Sequence, residues 1–103
     1  MSLAGRVALV TGGGRGVGKG ISMSLAAAGA TVAVNYRRDA EAAAAAVADI
    51  IANGGKAQAN AASVDDFEQN AEMVAAVEAD HGAVGILVNN AGIGLGLAKH
   101  CAG

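Results

Sequence analysis

Leu9-Val10-Thr11-Gly12-Gly13-Gly14-Arg15-Gly16-Val17-Gly18-Lys19-Gly20 is the stretch on which the fold turns. The run from Arg6 to Thr11 that enters it is almost continuously apolar, as a strand covered on both faces should be. Positions 12–16 hold four glycines, too many for an ordinary turn. Beyond them Val17, Ile21, Leu25 and Ala28 recur at helical spacing. A first helix is therefore expected over Val17 to Ala28, with Gly29 as its C′ cap. Strand, glycine turn and helix together hold phosphate groups. Glycine lets the backbone approach the anion, and free N–H groups at the helix start point at it.

Working outward, Thr31 to Tyr36 alternates β-branched residues and reads as a second strand. Asp39 can cap a second helix that runs through the Ala42 to Ala46 block to about Ala52, with Val47, Ile50 and Ile51 as its apolar face. Asn53-Gly54-Gly55 ends it. Lys56 to Ala62 is poor in β-branched residues and is placed as a third strand at the sheet edge. Asp65 with Glu68 forms a capping-box pattern for a third helix, Asp66 to about Asp80, with Phe67, Ala71, Val74 and Val77 on one face. His81-Gly82 stops it, and Val84 to Asn89 is a fourth strand of buried character. Ile93 to Gly103 shows no periodicity, so 94–103 is taken as an irregular tail after a unit of 1–93.

The order β-α-β-α-β-α-β, with crossovers of helical length, predicts an α/β fold: a parallel sheet with right-handed crossovers and helices on both faces. The expected strand order is 3-2-1-4, half of a doubly wound dinucleotide fold of the Rossmann type.

Composition narrows the function classes. The 103 residues suffice for one small domain, 53% hydrophobic but 2% aromatic, so the core must be built from Ala, Val, Ile and Leu. Net charge is -2 with no basic tract, which argues against a nucleic-acid partner. No apolar run approaches the ~20 residues of a membrane span, so no membrane partner is expected. The single cysteine, Cys101, cannot form an internal disulfide and fits a cytoplasmic location. Cys101 and His100 have only His81 as a further soft ligand, so no metal site is expected.

The glycine turn fits no register of Gly-x-Gly-x-x-Gly. It does fit Thr-Gly-x-x-x-Gly-x-Gly through Thr11, Gly12, Gly16 and Gly18. A competing pattern is the phosphate loop of nucleoside triphosphatases, Gly13, Gly18 and Lys19 in Gly-x-x-x-x-Gly-Lys. The hydroxyl that should follow for magnesium is replaced by Gly20, and Ser22 comes two positions late.

Thr11 to Gly18 resembles the cofactor motif of the short-chain dehydrogenase/reductases. Asn89-Asn90-Ala91-Gly92, after Ile86-Leu87-Val88, resembles that family's Asn-Asn-Ala-Gly motif at the end of the fourth strand. The likeness spans residues 5 to about 93 and is nearest to 3-oxoacyl-carrier-protein reductases and glucose dehydrogenases. It implies an oxidoreductase acting on a carbonyl/alcohol pair, with Gly12, Gly14, Arg15 and Val17 at the cofactor phosphates. It implies that Gly16 and Gly18 let the helix approach the strand, that Ser63 and Val64 lie at the adenine, and that Asn90, Ala91 and Gly92 pass the adenine-side ribose. The family's tendency to form homo-oligomers comes with it.

Charge then selects the cofactor. An acidic residue ending the second strand would bind the ribose 2′-hydroxyl of NAD and repel a 2′-phosphate. This chain has Asn35-Tyr36-Arg37 there, then Arg38, with Arg15 nearby in the turn. Arginine pairs with phosphate in a bidentate fork, so NADP(H) is expected over NAD(H), which stays possible.

Three departures from the family pattern stand out. Ser63 replaces an Asp that contacts adenine, and Gly85 replaces an Asp before the fourth strand's Ile-Leu-Val. The family's catalytic Ser and Tyr-x-x-x-Lys lie beyond the Asn-Asn-Ala-Gly motif and have no match here; the only tyrosine, Tyr36, has Ala40 four residues on. The chain is therefore expected to be the truncated N-terminal portion of a reductase, inactive alone. The alternatives are a stand-alone nucleotide-binding module and a degenerate phosphate-loop triphosphatase.

Overall fold

A computed structural model describes residues 2–12, 14, 16–63 and 66–89. Seven elements follow in order: β1 (Val7–Thr11), α1 (Gly16–Ala27), β2 (Thr31–Tyr36), α2 (Ala40–Ala52), β3 (Lys56–Ala61), α3 (Phe67–His81) and β4 (Val84–Asn89). The four strands form one sheet in the order β3-β2-β1-β4, and every pairing is parallel. The expected Rossmann-type topology is thus the one found, with β3 at an edge.

Two cores sandwich the sheet. One face carries Ala8, Val10, Val32 and Val34, packed on Ala26 of α1 and on Ala43 and Ile50 of α2. The other carries Val7, Leu9 and Ala33, packed on Met73 and Val77 of α3. β1 and β2 are buried on both sides, which is why their sequences lack polar alternation.

Helix ends are set by local chemistry. The Asp39 carboxylate accepts from the Ala42 N–H at 3.0 Å and caps α2. Both α1 and α2 close in a Schellman motif around a left-handed glycine. In α1 the Ala30 N–H reaches the Leu25 carbonyl and the Gly29 N–H (φ 108°) the Ala26 carbonyl. In α2 the Gly55 and Gly54 N–H groups reach the Ile50 and Ile51 carbonyls in the same pattern. Each motif turns the chain back into the next parallel strand.

The expected inward faces of the helices need correction. α1 buries Gly18, Ser22 and Ala26, while Val17 is 70% exposed and Ile21 and Leu25 are half-buried. α2 buries Ala43, Ala46 and Ile50, while Ile51 is 55% exposed. In both helices the positions facing the sheet take mainly the smallest side chains, and the larger ones lie on the flanks. In α3 the buried pair is Met73 and Val77, and Phe67 is 85% exposed. Its cap also shifts by one residue. Asp66, not Asp65, is the N-cap and accepts from the Gln69 N–H at 3.0 Å. Asp65 itself and the expected tail 94–103 lie outside the described residues.

β4 is less buried than its composition suggests. Ile86 and Val88 pack on the α1/α2 core, but Leu87, in register with Leu9 on the α3 face, is 65% exposed. Composition alone cannot tell an edge strand covered on one face from a central one. The register slips between Val7 and Ala8, which leaves Gly85 as an extra residue in β4.

A Cβ at Gly85 would meet only the Arg6 side chain, at 4.0 Å. Gly85→Asp should therefore place a carboxylate beside a guanidinium and remove a flexible residue from a strand. The gain expected is about 1 kcal/mol, read as a melting temperature about 5 °C higher. No rise in the thermal transition would remove Arg6 as the partner.

Candidate functional site

The C-terminal ends of β1, β2 and β4 meet at one end of the sheet. From β1 the chain order runs outward to β2 on one side and to β4 on the other. That reversal opens a crevice above the carboxyl ends of the strands, where α/β folds take their ligands.

The glycine turn crosses this end. Gly12 (φ 62°) and Gly16 (φ 52°) both adopt left-handed backbone that side chains with a Cβ disfavour. Gly16 opens α1, so the turn delivers the helix N-terminus into the crevice. The first turn of α1 contains no acidic residue, which leaves its N–H groups and the positive end of the helix dipole uncompensated by carboxylate. Gly16 and Val17 are exposed there. Nothing lies within 4 Å of a Cβ placed on Gly16, so this glycine supplies a backbone conformation and open space rather than helix–strand contact. Gly18 is buried in α1 and its carbonyl accepts from the Ser22 hydroxyl at 2.9 Å. Gly14 is buried at the back of the turn, where a Cβ would lie 2.8 Å from both Cα and N of Ala43 in α2.

Two ties fix the turn to the sheet. The Thr11 hydroxyl, in register with Asn89, donates toward Asn89 Oδ1 at 3.2 Å with the Val88 carbonyl at 3.3 Å. The two sequence motifs therefore meet through their first residues. The Gly12 N–H donates to Asn35 Oδ1 at 3.3 Å. Asn35, at the end of β2, is the residue that reading the sequence missed. The available signal is an amide set within the apolar part of Thr-Val-Ala-Val-Asn-Tyr, where sequence alone shows only the lack of a carboxylate.

Arg37 and Arg38 follow β2 and are exposed at the same end of the sheet. Ser63 is half-buried on the far side of β2. Its N–H donates to Gln69 Oε1 at 3.0 Å and its carbonyl accepts from the Asp66 N–H at 3.1 Å, so the start of α3 holds it. Lys19 points elsewhere, with its Nζ 2.8 Å from Asp49 Oδ2 of α2. Arg15, Val64, Asn90, Ala91 and Gly92 lie outside the described residues.

The residues present fit a dinucleotide. An open, left-handed glycine turn at an acid-free helix N-terminus suits a pyrophosphate, and two exposed arginines at the end of β2 suit a further phosphate. Among the described residues no helix is long and apolar enough to cross a membrane, and no three His, Cys, Asp or Glu side chains group as metal ligands.

Fold and turn together define a doubly wound α/β nucleotide-binding unit. Residues 6–102 match the family model described as short chain dehydrogenase, and the chain belongs to that family. Solved structures agree. A dehydrogenase/reductase from Sinorhizobium meliloti 1021 superposes with a TM-score of 0.87 at 44% identity, over 89% of this chain and 36% of that one. A short chain dehydrogenase from Burkholderia cenocepacia J2315, in complex with NADP, gives 0.84 at 47% identity over 90% and 38%. A metagenomic short-chain oxidoreductase in complex with NADP gives 0.84 at 40% over 90% and 42%. The chain thus spans between 36% and 42% of the length of these relatives. No curated protein matched it.

Proposed function

We propose that this chain is the NADP(H)-binding N-terminal portion, residues 1–93, of a short-chain dehydrogenase/reductase that interconverts a carbonyl and an alcohol. The observation that carries the reading is the left-handed turn at Gly12 and Gly16, which presents the acid-free N-terminus of α1 at the point where strand order reverses. In this reading the backbone of the turn, with Gly12, Gly14, Arg15 and Val17, receives the pyrophosphate, and the buried Gly18 lets α1 approach the strand. Arg37 and Arg38 receive the 2′-phosphate, Ser63 and Val64 flank the adenine, and Asn90, Ala91 and Gly92 line the ribose. Two relatives solved with NADP support the choice of cofactor. The nicotinamide, when bound, gives or takes the hydride.

The chain's own contribution is binding and orientation. The chemistry also needs a proton donor for the carbonyl oxygen, and Tyr36 has no lysine four residues on to tune it for that role. The 103-residue chain is therefore expected to bind cofactor without turnover.

The phosphate-loop alternative finds less support. Its lysine, Lys19, is paired with Asp49, and the Ser22 hydroxyl is buried on the Gly18 carbonyl. Neither is directed at a nucleotide phosphate or a magnesium ion.

Titration of the chain with NADPH and NADH, followed by nicotinamide fluorescence with ATP as competitor, tests the reading. Saturable binding that favours NADPH is expected. A folded chain that binds ATP with magnesium in preference to either would overturn it.

A further inference from the structure

We propose that Asn35 is a positioning residue that sets the spacing between the phosphate-binding turn and the adenine-side segment after β3. The inference rests on the dinucleotide reading above, but its first test does not. Asn35 is 2% exposed, and its side-chain amide faces three separate parts of the chain. Its Oδ1 accepts from the Gly12 N–H at 3.3 Å, at the first left-handed glycine of the turn. Its Nδ2 donates to the Ala62 carbonyl at 3.1 Å, immediately before Ser63. The Asn60 carbonyl at 3.5 Å and Met73 Sδ at 3.2 Å complete its surroundings.

The amide orientation is fixed by chemistry. Turned over, it would set an NH₂ against the Gly12 N–H and an oxygen against the Ala62 carbonyl, leaving buried donors and acceptors unmatched. One rigid group, about the size of a peptide unit, thus spans the gap between the two segments that hold opposite parts of the cofactor. β1 and β3 do not pair with each other; β2 lies between them. A side chain of β2 is the short route by which their ends can be held at a fixed separation.

This role differs from that of the arginines. Pyrophosphate and adenine are common to NADPH and NADH, so loss of the Asn35 amide should weaken both by the same factor and leave their ratio unchanged. A 2′-phosphate contact would change the ratio. An apolar residue there would keep the strand packed but withdraw the amide from both the Gly12 N–H and the Ala62 carbonyl.

Two measurements on Asn35→Ala test the proposal in the full 103-residue chain. Hydrogen exchange without nucleotide should show the Gly12 amide at least about tenfold faster, with Val10 in β1 unchanged. Titration should show NADPH and NADH each weakened by roughly tenfold, with the preference intact. Unchanged exchange at Gly12, unchanged affinities or an altered ratio would each overturn it.

If Asn35→Ala does not fold, Asn35→Thr suits the strand and adds no charge, but its shorter side chain cannot span both Gly12 and Ala62. It should weaken both nucleotides equally, and parental affinities in it would overturn the proposal. Should the parent chain bind neither nucleotide, the dinucleotide reading falls. The exchange rate at Gly12 then decides by itself whether Asn35 holds the turn.

Discussion

Gly14→Ala is expected to lower the melting temperature by about 15 °C or more and to abolish nucleotide binding. The added methyl would sit 2.8 Å from both Cα and N of Ala43. These are backbone atoms inside α2, so no rotamer change relieves the overlap; either the turn or the whole helix must move. Ala43 is fully buried in the α1/α2 core, and α2 is held at its start by Asp39 and at its end by the Schellman motif. Overpacking against so constrained a partner belongs at the upper end of its usual range, about 3 kcal/mol. That is a large share of the roughly 5–15 kcal/mol a domain of this size has. A turn displaced from α2 also loses the position of the α1 N-terminus, so binding is lost with stability.

Gly20→Ala is the internal comparison. Gly20 is exposed in α1 with nothing within 4 Å of a Cβ and an ordinary helical backbone, so the same substitution should stabilise by up to ~1 kcal/mol. Thermal melts of both variants read out the contrast. Equal, small shifts would mean that α2 does not press on the turn.

Why Gly14 matters was not legible in the sequence, where it is one glycine among four. The strands, their order and the helix stops were legible, because each has a local cause. A nearly continuous apolar run marks β1, alternating β-branched residues mark β2, Asp39 marks a helix start, and Gly29 and Gly54 mark helix ends. Periodicity found Ile50 of α2 and Val77 of α3 but misjudged the centre of the buried face of α1. Helical spacing there selects Val17, Ile21, Leu25 and Ala28, whereas the buried positions are Gly18, Ser22 and Ala26, with Ile21 and Leu25 packed at their flanks. That choice depends on how closely two elements approach, which is a property of the assembled pair.

Asn35 was hidden for a related reason. Its partners, Gly12, Asn60, Ala62 and Met73, are between 23 and 38 residues away along the chain, and only the assembled sheet brings them together. The motifs around Thr11 and Asn89 were legible as patterns, while the hydrogen bond that joins them needed the register of β1 with β4.

Replacing Arg37 and Arg38 together by Ala should weaken NADPH by about 100-fold and leave NADH nearly unchanged, erasing the preference. A 2′-phosphate is the one group that separates the two cofactors, and these arginines stand exposed where β2 ends, with no carboxylate at Asn35 or Tyr36 to oppose them. Each phosphate contact made by a guanidinium is a charge-assisted hydrogen bond, so two contacts account for the effect. Exposure also predicts a salt signature. Raising ionic strength from ~0.01 to ~0.15 M shortens the screening length from about 30 to about 8 Å and should shrink the parent's NADPH preference, weakening NADPH more than NADH. Going further, Arg37→Asp with Arg38→Ala should invert the preference, because a carboxylate at the end of β2 can accept from the 2′-hydroxyl and repels the phosphate. Paired titrations in low and high salt check all three statements. An NADPH preference that survives the double alanine change would move the 2′-phosphate contact to Arg15 in the turn, and one that survives Arg37→Asp as well would detach cofactor choice from the end of β2 altogether.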